Sequence, residues 1–130
     1  MRPLVLDTNV VLDLLVFRDP RTVALRAALD ERSVQWLATA AMRDELAHVL
    51  AYPGFVARAD ANEVLAAFDV YAQPAPMPMP SRVPCRDEDD QKFIDLAVAH
   101  RALLVSKDKD VLRLRKRLAR LAVEAVAIFT

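Results

Sequence analysis

The 130-residue chain reads as an α/β three-layer sandwich built on a central, mostly parallel sheet. Three observations predict it. Short apolar runs alternate with longer segments of helical spacing along the whole sequence, the pattern of a parallel sheet with crossover helices. The runs "PLVL", "VQWLA" and "ALLV" are apolar at most successive positions. Strands buried on both faces read this way, whereas half-exposed strands alternate. Hydrophobic residues make up 55% of the sequence, enough for one sizeable core, so residues 1–130 are read as a single domain.

The elements follow in order. "PLVLD" is a buried strand ending at Asp7. Val10, Val11, Leu14 and Leu15 then take helical spacing, with Asp13 expected to face outward. "RTVALRAALDER" is a second helix, with Val23, Ala24, Ala27 and Ala28 as its expected buried stripe. "VQWLAT" is the second strand. Thr39 is placed to cap the helix "AAMRDELAHVLAY", which stops at Pro53-Gly54. A further helix covers about Ala59 to Tyr71. "QPAPMPMPSRVP" holds five of the eight prolines and reads as an extended connector, neither helix nor central strand. "RDEDDQKFIDLAVAHR" is a helix with an acidic first turn, "ALLVS" a third strand, "DVLRLRKRLARL" a helix and "EAVAIF" a last strand.

Composition excludes several function classes. The single glycine, Gly54, rules out a dinucleotide fingerprint and a Walker loop, which need several glycines for backbone to approach phosphate. Phosphate chemistry would therefore need side chains or metal ions. Eighteen basic and 18 acidic residues give zero net charge, so any preference for nucleic acid must come from local clustering. One cysteine, Cys85, forbids an intrachain disulfide and points to an intracellular setting. No apolar stretch is long enough for a membrane span, and Asp7 and Asp13 interrupt the first apolar segment in a way foreign to a signal peptide. The expectation is a cytoplasmic protein with no membrane partner.

Acidic residues gather where a parallel sheet forms its sites, at the carboxyl ends of its strands. Asp7 ends the first strand. Asp108 lies just past the third, with Ser106 two residues earlier. Glu45 is on the helix after the second strand, and Asp87, Glu88, Asp89 and Asp90 open the helix before the third. Each has an ordinary reading as well. Asp7, Thr8 and Asn9 are good helix caps, Glu45 suits a solvated helix face, Asp87 to Asp90 suit a helix dipole, and Asp108 and Asp110 suit a turn. Their joint placement carries the argument. Converging carboxylates repel unless cations neutralise them, and oxygen-rich sites suit Mg²⁺ or Mn²⁺, which activate water against a phosphodiester.

The motifs "LVLDTNVVLDLL", "RDEL", "CRDEDDQKFIDLA" and "LLVSKDKDVL", in this order and spacing, resemble those of PIN-domain proteins, above all the toxin components of toxin–antitoxin systems. The resemblance covers nearly the whole chain. It implies a parallel sheet, an acidic pocket for Mg²⁺ or Mn²⁺, and endoribonuclease cleavage of single-stranded RNA leaving a 5′-phosphate and a 3′-hydroxyl. Residue by residue, it implies metal-binding and catalytic roles for Asp7, Glu45, Asp90 and Asp108. Asn9, Ser106 and Asp110 would support them. Asp90 is chosen because Ala97 supplies the small residue that the family carries seven positions on; Asp89 is the runner-up, and Asp87 is taken as the helix cap. An antitoxin protein and a homodimer are implied partners.

The segment "RLRKRLARL" is more basic than the resemblance requires. Arg113, Arg115, Lys116, Arg117 and Arg120 are candidate contacts to RNA phosphate or to an acidic antitoxin segment, against the alternative of a solvated face over Leu112, Leu114, Leu118 and Leu121. His48 and His100 are read as structural or solvated, and Cys85 and Trp36 as core. The rival function is a catalytically silent RNA- or protein-binding module, and behind it a phosphoryl-accepting domain using Asp7 or Asp108 with Lys107 nearby.

Overall fold

The computed structural model describes residues 1–130. Five strands form one parallel sheet: β1 (Arg2–Leu6), β2 (Val34–Ala38), β3 (Ala72–Pro74), β4 (Leu103–Val105) and β5 (Ala125–Val126), in the order β3-β2-β1-β4-β5. The chain moves outward from β1 through β2 to β3, then crosses back to β4 and on to β5. The direction of travel reverses at β1, and right-handed crossovers then put the two sets of helices on opposite faces. This is the predicted three-layer sandwich, with a sheet that is wholly parallel.

The helices are α1 (Thr8–Leu12), α2 (Val23–Asp30), α3 (Ala40–Leu50), α4 (Pro53–Val56), α5 (Ala61–Tyr71), α6 (Gln91–His100), α7 (Lys109–Leu112) and α8 (Arg115–Ala119). Thr39 caps α3 as expected, its Oγ1 accepting from the Met42 N–H. Asp60 caps α5 by accepting from the N–H groups of Asn62 and Glu63. β4 is buried throughout and β1 from Leu4 onward, with Leu4, Val5 and Leu104 fully inaccessible. That is why their sequences show no alternation. Trp36 and Cys85 are core residues, and His48 and His100 are on the surface.

Five details depart from the sequence reading. Asp13 faces inward, because the helix widens into a π turn over Asp13–Phe17 directly after α1 and brings its carboxylate onto Lys107. On α2 the buried stripe is Leu25, Ala28 and Leu29; Val23, Ala24 and Ala27 are exposed. The buried face is rotated so that Leu25 and Leu29 reach the core together with Ala28, while Val23 faces water. An edge strand, β3, forms at Ala72–Pro74, where the proline-rich connector begins. Pro74 is tolerated there because an edge strand has one unpaired side. The basic segment forms two short helices, α7 and α8, although neither glycine nor proline marks the break at Arg113–Leu114. The last strand is confined to Ala125–Val126.

Candidate functional site

The site lies at the carboxyl ends of β1 and β4, where the strand order reverses and a crevice opens in parallel sheets. Asp7 follows directly on β1. Its N–H still bonds the Val105 carbonyl (3.0 Å), so the sheet ladder fixes its backbone. Ser106 is held likewise, its N–H bonding the Val126 carbonyl at 3.0 Å. The two side chains meet: Ser106 Oγ donates to Asp7 Oδ2 at 2.5 Å and accepts from the Asp108 N–H at 3.1 Å. Asp108 caps α7, with Oδ1 accepting from the Asp110 N–H at 2.8 Å.

The loop carrying Ser106 and Asp108 is pinned from α1. Asn9 Oδ1 accepts from the Lys107 N–H, and Lys107 Nζ pairs with the buried Asp13 carboxylate at 2.5 Å. The sequence reading gives Asp13 no place in the site and names Lys107 only in the phosphoryl-accepting alternative, not as a partner of Asp13. Their signal in the sequence is weak, because an i, i+6 acid on an ordinary helix points away from a residue capped at its start.

The fourth wall is the start of α6. Asp87 caps a single 3₁₀ turn over Glu88–Asp90, accepting from the Asp89 N–H, as anticipated. That turn aims Asp90 inward and leaves Asp89 exposed. Carboxylate oxygens of Asp87, Asp90 and Asp108 lie within 4.8 Å of one another. Asp87 therefore belongs to the cluster as well as to the cap, a dual placement that the sequence reading did not assign. None of the chain's ion pairs reaches Asp7, Asp87, Asp90 or Asp108.

Glu45 is placed differently. Its carboxylate is half-buried near Asp7, but Lys92 Nζ pairs with Oε1 at 2.6 Å and Thr8 Oγ1 donates to Oε2. Lys92 also donates to the Asp89 carbonyl, so it ties α3 to the turn that presents Asp90. Lys92 is a further site residue missed in the sequence, where it is one lysine on a helix. The basic segment divides. Arg113 pairs with Asp110 at 3.7 Å beside the cluster, Arg117 donates to the Arg82 carbonyl at 2.6 Å, and Arg115 and Lys116 lie farther along.

Electrostatics follow from this packing. The Asp7 carboxyl is pushed above its ordinary range by burial first, and by the charges of Asp108 and Glu45; bonds from Ser106 and the Thr8 N–H oppose the shift. Asp90 is raised to about 7, again chiefly by burial, then by Asp7, Asp108 and Asp87. Asp90 Oδ2 is buried without any hydrogen-bond partner. A buried acceptor without a donor, inside a set of hard carboxylate oxygens without a cation, fits a divalent metal ion of the Mg²⁺ or Mn²⁺ type.

Comparison with known proteins agrees with this geometry. The family model for the PIN domain matches residues 3–110, a span that includes every acid of the cluster. An uncharacterized protein of Methanocaldococcus jannaschii is 52% identical over 31 residues, covering 24% of this chain and 20% of that protein. A chain in the crystal structure of VapBC2 from Rickettsia felis, bound to a DNA fragment from their promoter, superposes over 95% of this chain and 98% of its own length. The TM-score is 0.66 at 14% identity, so that likeness is one of fold. The match across 3–110 and the parallel sheet with acids at its switch point settle the family: the chain belongs to the PIN-domain proteins.

Proposed function

We propose that this protein is a metal-dependent endoribonuclease that hydrolyses phosphodiester bonds of single-stranded RNA, and that it serves as the toxin of a toxin–antitoxin pair in the cytoplasm. The observation that carries the chemistry is the unpartnered Asp90 Oδ2 facing Asp87 and Asp108 in a cluster that no lysine or arginine neutralises. Asp7, Asp90 and Asp108 would hold Mg²⁺ or Mn²⁺, with Asp87 beside them and Glu45 behind, where Lys92 and Thr8 hold it. A divalent ion bound there supplies Lewis acidity to the phosphodiester and acidifies water.

The chain's own residues prepare that place. Ser106 points its proton at Asp7, because its oxygen is already engaged by the Asp108 N–H, and so keeps the Asp7 carboxylate in one orientation. The Asp110 N–H does the same for Asp108. Asp13 and Asn9 hold the Lys107 loop against α1, so the ends of β1 and β4 act as one rigid edge. Such preorganisation is what positions a phosphorus for in-line attack. The PIN-domain match supports the nuclease reading, and the shared fold with a chain of VapBC2 is in keeping with a toxin; the antitoxin partner and the homodimer are part of the proposal on the sequence resemblance.

The test is cleavage of mixed-sequence single-stranded RNA with Mn²⁺, Mg²⁺ or EDTA, using Asp7→Asn as the control. Metal-dependent cleavage that disappears in Asp7→Asn supports the nuclease. Equal cleavage by parent and Asp7→Asn would sink it.

A further inference from the structure

At the opposite ends of the strands from the acidic cluster lies a second concave surface. A groove of about 550 Å³ is rimmed by Arg2, Arg101, Arg115 and Lys116. Its floor is aliphatic, with Leu103 and Val123 among the floor residues, and no aromatic side chain lines it. The groove holds one acid, Glu124, which pairs with Arg2 at 3.2 Å. Arg101, Arg115 and Lys116 take part in none of the chain's ion pairs, and all three are exposed. Three cations without an ion-pair partner therefore line one depression, a local excess of positive charge that attracts an anionic ligand.

We propose that this groove holds the phosphodiester backbone of the single-stranded RNA substrate at a distance from the point of cleavage; the proposal rests on the ribonuclease reading above. The charge distribution favours RNA over an acidic protein segment. α7 and α8 run from the acidic cluster to the groove, beginning at Asp108 and passing Arg113 before reaching Arg115 and Lys116. The same segment thus joins the cluster to the groove, with Arg113 paired to Asp110 at its start and the unpaired Arg115 and Lys116 at its end. Without an aromatic platform the groove reads phosphates and not bases, so it confers affinity without sequence preference. Arg2 opens β1 and Asp7 follows its end, so the two sites are roughly 16 Å apart at the strand rise of about 3.3 Å per residue. An RNA must be several nucleotides long to occupy both.

The experiment measures binding without cleavage. An Asp7→Asn protein in EDTA is titrated against a fluorescent mixed-sequence single-stranded RNA long enough to span both sites, over a series of salt concentrations. The same protein carrying Arg101→Gln, Arg115→Gln and Lys116→Gln is compared with it. Loss of three phosphate contacts raises Kd roughly 10- to 100-fold near physiological salt and lowers the salt slope by about 2. Each single replacement, read separately, lowers the slope by roughly 0.7 and guards against misfolding of the triple variant. Unchanged affinity and slope in the folded triple variant overturn the proposal. So does unchanged RNA binding together with lost binding of poly-glutamate, which assigns the groove to an acidic protein segment. Because no cleavage is read, failure of the nuclease assignment leaves this result interpretable.

Discussion

Ser106 donates its hydroxyl proton to Asp7 Oδ2 at 2.5 Å, although 99 positions separate the two residues in the chain. The bond closes the ends of two adjacent strands over a carboxylate that is 4% exposed. Replacing Ser106 with alanine leaves Asp7 with the Thr8 N–H as its remaining donor and the Asp108 N–H without its Oγ partner. The expected loss is about 1–3 kcal/mol of stability, and cleavage falls roughly 10- to 100-fold as Asp7 loses its orientation. Ser106→Thr keeps the hydroxyl and recovers most of both. Thermal melts in EDTA and single-turnover cleavage measure the two effects. A Ser106→Ala protein indistinguishable from the parent would show that the bond is idle.

Asp90 gives stability an unusual pH dependence. Its carboxyl sits at about 7 in the folded chain against 3.8 for an ordinary aspartate. Between those values the folded state keeps a proton that the unfolded state has released. Metal-free stability from this group is therefore full below about pH 4 and is lost as pH rises through 7, at up to about 1.4 kcal/mol per pH unit. Asp90→Asn removes this dependence, so in EDTA at pH 8 it melts a few degrees above the parent, while losing cleavage. Excess Mn²⁺ reverses the trend for the parent, whose melting temperature then climbs with pH as ligands are freed of protons. Differential melts of parent and variant from pH 4 to 8, with and without Mn²⁺, isolate the Asp90 contribution.

Lys92 occupies the inner side of Glu45 and acts as a built-in counter-charge. Lys92→Met leaves a half-buried carboxylate beside Asp7 without its cation. The apo protein loses about 1–2 kcal/mol, less than for a fully buried pair because water still reaches the site. The uncompensated charge strengthens attraction for a divalent ion, so the Mn²⁺-induced rise in melting temperature becomes larger than in the parent. Calorimetric titration of Mn²⁺ checks the sign. Weaker Mn²⁺ binding in Lys92→Met would mean that the lysine organises the ligands and does not compete with the ion.

The Asp13–Lys107 pair joins the π turn that follows α1 to the loop between β4 and α7 at 2.5 Å, with Asp13 only 9% exposed. Asp13→Asn and Lys107→Met each loosen that loop and reduce cleavage. A double-mutant cycle on thermal stability yields a coupling of about 1–2 kcal/mol, because both changes remove the same interaction. Additive losses would show that the two residues act through different neighbours.

Much of the fold is legible in local pattern. The strands at Asp7 and Ser106 are apolar on both faces, which only a sheet covered by helices on each side explains. Thr39 marks its helix start by its own chemistry. The elements that sequence reading misses are those without a local signal. β3 is three residues long and exists because the free edge of β2 pairs with it; the division of α7 from α8 has no breaker residue; the rotation of α2 that buries Leu25, Ala28 and Leu29 is set by the sheet it packs on, because the apolar residues of that segment fit more than one helical face.

The candidate site divides in the same way. Sequence alone determines which residue types stand at the strand ends, namely Asp7, Ser106 and Asp108, because their positions follow from where each apolar run stops. It also determines that no glycine loop is present to bind phosphate. Tertiary structure decides how the acids are used. Asp90 turns inward and Asp89 outward because one 3₁₀ turn rotates the start of α6; Asp87 joins the cluster while capping that turn; Glu45 is claimed by Lys92 and Thr8. The reason is physical. Which residue ends a strand is set by neighbours in the chain, whereas which carboxylate stays free is set by cations and donors that arrive from elements tens of residues away.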